Sequence, residues 1–185
     1  VLIRVDPPRT GPDWWLWRQV EDLQQKVYGE VASHDQSLSP VTYAWLQGQR
    51  VVATLDVLSK EISHAGHDYR ASGLSWVLTD PEARHHGHGR DLVSAVRNEL
   101  SRQPVDLVIF TCDTPLRAFY ESAGFEQLPG TVIVGGVPDQ PFPSDQPGFD
   151  KVTMAALLSP RAKEAHAGFA HARIPLYPGT TDKLW

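Results

Sequence analysis

Apolar residues recur at Leu16, Val20, Leu23, Val27 and Val31, at steps of four, three, four and four, which places one stripe along a helix. Asp13 stands just ahead of the stripe, where it can cap the first turn. Before it, the short apolar start Leu2 to Val5 is set apart by Pro7, Pro8, Thr10, Gly11 and Pro12, a stretch that breaks regular structure. Val41 to Leu46 predicts a strand, Gly48 and Gln49 a tight turn, and the β-branched run Val51 to Leu58 its hairpin partner. Ala65 and Gly66 mark another turn inside a polar stretch, and Leu74 to Thr79 predicts a further strand that stops at Asp80-Pro81. Beyond a histidine- and glycine-rich loop, Leu92, Val93, Val96 and Leu100 form one helix face, and Val105 to Thr111 reads as a buried strand. Thr114 can cap a next helix with Pro115 at its first position; Leu116, Phe119, Tyr120 and Ala123 share a face, and Gly124 ends it. Thr131 to Val134 and Lys151 to Leu158 supply two closing strands around a proline-rich loop, Val137 to Gly148. Ser159-Pro160 open a last helix that ends before Pro175, and a tail runs to Trp185. Strand, glycine turn, helix, strand, helix is the order of an α/β (α+β) fold, a mixed central sheet flanked by helices.

Composition narrows this picture. A chain of 185 residues has the length of one domain and can bury a core without staples. We expect one domain over 1–185, with core motifs in 41–134 and a C-terminal extension over 159–185. Hydrophobic residues make up 41% and charged residues 21%, which excludes a disordered chain. No apolar run is long enough for a membrane span, and Val1 to Pro8 lacks the basic-then-apolar layout of a secretion signal. The single cysteine, Cys112, has no partner for an internal disulfide, so a reducing, cytoplasmic setting is expected. A net charge of −5 gives no footprint for nucleic acid and tolerates a cationic partner; neither nucleic acid nor membrane is expected as a partner.

The loop carries the candidate chemistry. A strand ending near Pro81 that re-enters as a helix through Gly87 and Gly89 leaves backbone N–H groups open at the helix start, a suitable seat for phosphate or pyrophosphate. Arg84 and Arg90 can add charge, although a plain strand-to-helix connection has the same glycines, and neither GxxxxGK[ST] nor GxGxxG occurs. His85, His86 and His88 have no carboxylate or cysteine at ligand spacing, so the loop reads as a solvated phosphate-side loop and not as a zinc site; no metal is expected. Cys112 ends a buried strand with no base nearby in sequence and reads as a small core residue. Trp14, Trp15 and Trp17 open the first helix, as core packing for one or two of them or, were all three exposed, as the lip of a site.

The segment Val77-Leu78-Thr79-Asp80-Pro81-Glu82-Ala83-Arg84-His85-His86-Gly87-His88-Gly89 resembles the acyl-CoA pyrophosphate motif of the GNAT N-acetyltransferase superfamily, with core [Q/R]xxGx[G/A]. Phe110 to Asp113 and Leu116 to Phe125, with Tyr120 and the pair Gly124-Phe125, resemble the same family's next strand and helix. The resemblance covers Val41 to Val134. It implies a GNAT fold with a V-shaped splay between the parallel strands Leu74–Thr79 and Val105–Thr111, along which acetyl-CoA lies as cosubstrate. By the same mapping Val77, Leu78 and Thr79 line the acyl arm, and Arg84, His85, His86, Gly87, His88, Gly89 and Arg90 cradle the pyrophosphate. Cys112 and Phe119 join the coenzyme contacts. Tyr120 matches the tyrosine that protonates the leaving sulfur, the alternative being a core aromatic.

Transfer of an acetyl group to an amine also needs a deprotonated nucleophile. Many family members carry a glutamate on the strand before the loop, whereas this strand offers Ser75, with Ser72, and no carboxylate before Asp80. A water chain, a group elsewhere or no base at all remains open. The aminoglycoside 2'-N-acetyltransferase branch ends in an Asp-x-Trp-like tail whose terminal carboxylate reaches the acceptor. This chain ends Thr181-Asp182-Lys183-Leu184-Trp185, which makes Trp185 a candidate, against a tail that frays or docks on a second copy in a homodimer. The resemblance thus implies direct transfer to a primary amine of a small molecule or peptide, with an aminoglycoside-like polycation or a protein N-terminus or lysine among the acceptors. A catalytically silent acyl-CoA sensor or interaction module is the alternative, because of Ser75.

Overall fold

The computed structural model describes residues 1–5 and 13–185; the proline-rich linker expected over 7–12 lies outside the described residues. In chain order the elements are β1 (Leu2–Val5), α1 (Trp14–Tyr28), β2 (Val41–Gln47), β3 (Arg50–His64), β4 (His67–Thr79), α2 (His88–Leu100), β5 (Leu107–Asp113), α3 (Arg117–Ser122), β6 (Glu126–Gln127), β7 (Val132–Val137), β8 (Gln140–Pro143), β9 (Lys151–Leu157), α4 (Pro160–Glu164), α5 (His166–Phe169) and β10 (Arg173–Pro175). The main sheet has seven strands in the order β1-β2-β3-β4-β5-β9-β6, and β10-β7-β8 form a second sheet of three. All neighbours in the main sheet run antiparallel except β4 and β5. This is the expected mixed α/β architecture. Its core runs through Leu55 and Leu58 of β3, Leu92 of α2, Leu107, Ile109 and Phe110 of β5 and Met154 of β9, all essentially inaccessible to solvent. Among the described residues no helix is long and apolar enough to cross a membrane.

The central feature is the brevity of the β4–β5 pairing. Ala71 pairs with Leu107 and Ser72 with Val108, and there the ladder stops, although β4 continues to Thr79 and β5 to Asp113. A bulge explains the divergence. The β3–β4 register shifts between Thr54 and Asp56, and Trp76 on the bulged strand takes a left-handed φ of 48°. An extra residue on one strand bends it away from its neighbour, and a V-shaped wedge opens from Gly73 and Ile109 outward.

Several elements differ from the sequence expectation for definable reasons. α1 stops at Gly29, whose φ of 76° lets its N–H return to the Gln25 carbonyl, so Val31 lies beyond the helix. Asp13 stands at the cap position without a side-chain cap bond. β3 and β4 extend well past the apolar runs, because residues alternate: Ile62, Tyr69 and Ala71 point into the core, while Ser59 and Ser72 pair their hydroxyls at 2.9 Å. Thr131 to Val134 falls largely in β7 of the second sheet and does not close the first, and the proline-rich loop contains β8. The last helix is two short ones, the first capped by the Ser159 side chain on the Ala162 N–H, followed by β10. Trp14 is exposed, while Trp15 and Trp17 pack against the α1 core stripe, so the cluster is not a fully exposed lip.

Candidate active site

A cavity of about 600 Å³ lies at the mouth of the wedge. Its wall from β4 is Val77, Leu78 and Thr79, and its floor is the loop Ala83 to Gly87 with the first turn of α2. Gly87 adopts φ 84° as the N-cap of α2, its carbonyl accepts the Asp91 N–H at 2.9 Å, and no side chain caps the helix. The first amides of α2 are therefore free to meet an anion, with the positive end of the helix dipole behind them. Gly89 serves close packing: a β-carbon there would stand 2.6 Å from Thr79 Oγ1. Arg84 folds back to the Thr79 carbonyl at 3.4 Å. His85, His88 and Arg90 line the cavity. His86 does not; its Nδ1–H donates to the Arg84 carbonyl at 2.7 Å and braces the loop from behind.

A four-charge clamp fixes the loop to the rest of the fold. Lys26 of α1 and Arg50 of β3 both reach Asp80, at 2.9 and 2.6 Å, and Glu82, at 2.9 and 3.0 Å. Burial alone would raise the Asp80 pKa, but the hydrogen bonds from Lys26 and Arg50 outweigh it and bring it down to about 2. The carboxylate also accepts the Glu82 N–H, which shapes the turn over Pro81–Ala83.

The opposite wall is aromatic. Tyr120 of α3 is buried except toward the cavity, held edge-on by Phe110 at 4.8 Å and Phe119 at 4.9 Å between ring centres. Among the described residues its hydroxyl has no hydrogen-bond partner. Burial, with smaller effects from Cys112, Tyr28 and Asp113, pushes its pKa far above the ordinary phenol value, so the group keeps its proton at neutral pH and has an O–H to donate into the cavity. Phe119 lines the cavity beside it, and the exposed Leu116 forms a lip. Across the opening stands Tyr28, which the sequence reading did not single out. Its hydroxyl reaches the Val77 carbonyl at 3.4 Å and its ring meets Trp76 edge-on at 4.9 Å. Cys112 lies buried in β5 behind this wall and does not line the cavity; burial, then the Asp113 charge, lift its thiol to about 11.

Ser75 and Trp185 belong to the inner part of the wedge and are not part of the cavity lining. Trp185 is buried at the apex: its indole N–H donates to the Ile109 carbonyl at 2.9 Å, the first β5 position past the last paired residue, and its ring lies against Gly73 so closely that a β-carbon there would overlap it. The tail is packed against its own chain. Ser75 pairs in register with Asp56 of β3, a carboxylate the sequence reading passed over. Asp56 and Asp182 flank the His34 ring: Nε2 to Asp56 Oδ2 is 3.1 Å and Nδ1 to Asp182 Oδ1 is 2.6 Å. The signal was present as a charged residue inside the apolar run Val51 to Leu58, since a buried charge needs a partner. That partner, 22 residues away in the chain, had no local mark. Among the described residues no three His, Cys, Asp or Glu side chains converge to hold a metal ion.

Solved structures share this architecture. The GNAT family N-acetyltransferase YhbS of Escherichia coli, solved with CoA, superposes with a TM-score of 0.63 over 95% of this chain and 88% of that one, at 16% identity. The ribosomal-protein-S18-alanine N-acetyltransferase of Escherichia coli gives 0.53 over 86% and 95%, at 15% identity. An aminoglycoside acetyltransferase from an uncultured soil metagenomic sample, in complex with trehalose, gives 0.52 over 67% and 86%, at 15% identity. Among curated protein sequences none matches. At these identities the likeness is one of fold. The family model described as Acetyltransferase (GNAT) domain matches residues 16–128, more than half of the chain, and the protein belongs to the GNAT acetyltransferases, a membership that indicates acyl transfer from an acyl-CoA.

Proposed function

We propose that the chain binds acetyl-CoA in the wedge cavity and passes the acetyl group directly to a primary amine of a small molecule or peptide. One observation carries this reading: open helix amides, the diverging strand ends and a protonated tyrosine share a single cavity. The pyrophosphate would rest on the amides of His88, Gly89 and Arg90, and the acyl arm along Val77 to Thr79. The amine attacks the thioester carbonyl, the C–S bond breaks, and Tyr120 gives its proton to the departing thiolate; the ammonium formed loses a proton to solvent or to a nearby base. Ser75 stays in this scheme beside the acyl group, and Trp185 stays a candidate residue near the wedge apex. We place the whole of 1–185 in one acyl-CoA domain, in a cytoplasmic setting where thiols stay reduced. The names of two similar solved structures support two acceptor classes, aminoglycosides and an alanine of a ribosomal protein.

Calorimetric titration with acetyl-CoA, followed by thiol release across aminoglycosides, polyamines, amino acids and peptides, tests the proposal. Turnover on one amine class is expected. Tyr120→Phe should lower kcat by about a hundredfold, in the range for loss of a general acid, with coenzyme affinity within about twofold. A second reading, an acyl-CoA sensor without turnover, is favoured by one observation: among the described residues no carboxylate side chain lines the cavity. Binding without thiol release on any amine, and indifference to Tyr120→Phe, would select it.

A further inference from the structure

The C-terminal tail is built into the fold at every step. β10 pairs parallel to β7. Lys60 of β3 then donates to the Leu176 and Tyr177 carbonyls, both at 2.8 Å, and Gly136 donates to the Lys183 carbonyl at 2.9 Å. Gly135 lies so close to that carbonyl that no side chain fits between them. Asp182 closes the path. One carboxylate oxygen accepts the Asp35 N–H at 2.9 Å and the other faces His34 Nδ1, and three residues later Trp185 enters the wedge.

The His34 ring decides whether this last fastening holds. Its side chain is 5% exposed, and those of Asp56 and Asp182 are 2% and 6%. Thr42 of β2 donates to the other Asp56 oxygen at 2.5 Å, and the Asp35 carboxylate is turned away to the Ser37 N–H. The charged groups acting on the ring are the two carboxylates, with no cation beside them among the described residues. A neutral imidazole has one N–H. It could donate to one carboxylate while its other nitrogen turned a lone pair toward the second, inside the protein, where such an arrangement is costly. An imidazolium donates to both.

We infer that His34 is a positioning residue whose bound proton pins the tail, so that Trp185 closes the apex of the β4–β5 wedge while the imidazolium persists and is released when that proton is lost. Burial would lower the pKa of this imidazole, but its hydrogen bonds to Asp56 and Asp182, and their charges, raise it above the ordinary 6.5. The sign follows: pinning is complete below about 6.5 and fades as pH climbs through the raised value. The docking stands on this geometry alone; its effect on catalysis rests on the acyl-transfer reading.

Carboxypeptidase A, which removes C-terminal aromatic residues, reads the docking in the 185-residue chain prepared with Trp185 as its last residue. Trp185 release is measured from pH 6 to pH 10 and normalised to a free peptide of the last eight residues, with the ring 15N shifts of His34 followed by NMR. The expected result is at least a tenfold rise in normalised release with pH, in step with loss of the imidazolium signal. Asp182→Asn supplies an amide that can donate to a neutral ring, so it should keep the tail docked and flatten the profile. His34→Gln should leave release fast at every pH and lower kcat for thiol release at least tenfold, with acetyl-CoA affinity within about twofold. A pH-independent release in the native protein, or a neutral His34 ring at pH 6, overturns the pin. A loose tail in His34→Gln with unchanged kcat overturns the positioning role. Docking that follows pH in a protein that binds acetyl-CoA but acetylates no amine leaves the pin standing and removes the transfer reading, and the positioning role with it.

Discussion

The two ends of the wedge are stabilised by opposite means. At the mouth, residues 77–90 form one continuous stretch that shapes the proposed ligand seat from backbone amides and two glycines, with the Asp80 and Glu82 charges paired behind the loop to the half-exposed Lys26 and Arg50. At the apex, the fastening joins His34, Asp56 and Asp182, with 148 residues separating the first from the last, and the charges are inside. A ligand seat must stay open, so its polar groups are left unpaired and its shape is fixed from the rear. A closed apex leaves no polar group exposed, so every donor and acceptor must be matched within the chain. The first can be written in one loop; the second requires the finished fold.

Substitutions at the two ends sharpen this contrast. The largest effect belongs to the apex: Trp185→Ala removes a buried aromatic and its bond to Ile109, and chemical denaturation should show a loss of about 3 kcal/mol, while titration with CoA should find the proposed pyrophosphate seat intact. Smaller is Gly87→Ala at the mouth. A methyl group at φ 84° costs about 1–2 kcal/mol; calorimetry should show coenzyme affinity falling about tenfold, and limited proteolysis should show an undisturbed tail. Smallest is Asp80→Asn, which loosens the clamp behind the loop by about 1 kcal/mol at pH 7. The Asp80 pKa is lowered, so its contribution is complete above the ordinary 3.8 and disappears as pH falls through about 2. Thermal unfolding of native and variant protein should therefore converge as the pH approaches 2; a gap that persists there would show that charge is not what Asp80 contributes.

The same contrast explains what could be read from the chain. Gly87, Gly89 and the strand before them are sequence neighbours with a fixed geometric role, and the shape of the cavity mouth was legible from them. Cys112 and His86 were grouped with the coenzyme contacts by position in the motif, yet β5 turns the thiol behind the aromatic wall and the Arg84 carbonyl draws the imidazole out of the cavity. The length of β3 and β4 was missed because Ser59, Ser63 and Asp68 alternate with core residues beyond the apolar run. The second sheet escaped notice because the parallel pairing of β10 with β7 joins segments about 40 residues apart. The His34 network was hidden for the same reason: the tail ending in Trp185 drew attention to the terminal residue, and nothing near His34 in the chain marks it as the partner of Asp182.

The burial of Cys112 has a practical consequence. It is the only sulfhydryl in the chain, it is 5% exposed, and with its pKa raised to about 11 only about one molecule in a thousand carries a thiolate at pH 8. An aromatic disulfide reagent added to report free coenzyme meets almost no reactive sulfur on the protein. Absorbance gained during a reaction then counts coenzyme released, and the enzyme concentration can be raised to catch a slow turnover without raising the blank.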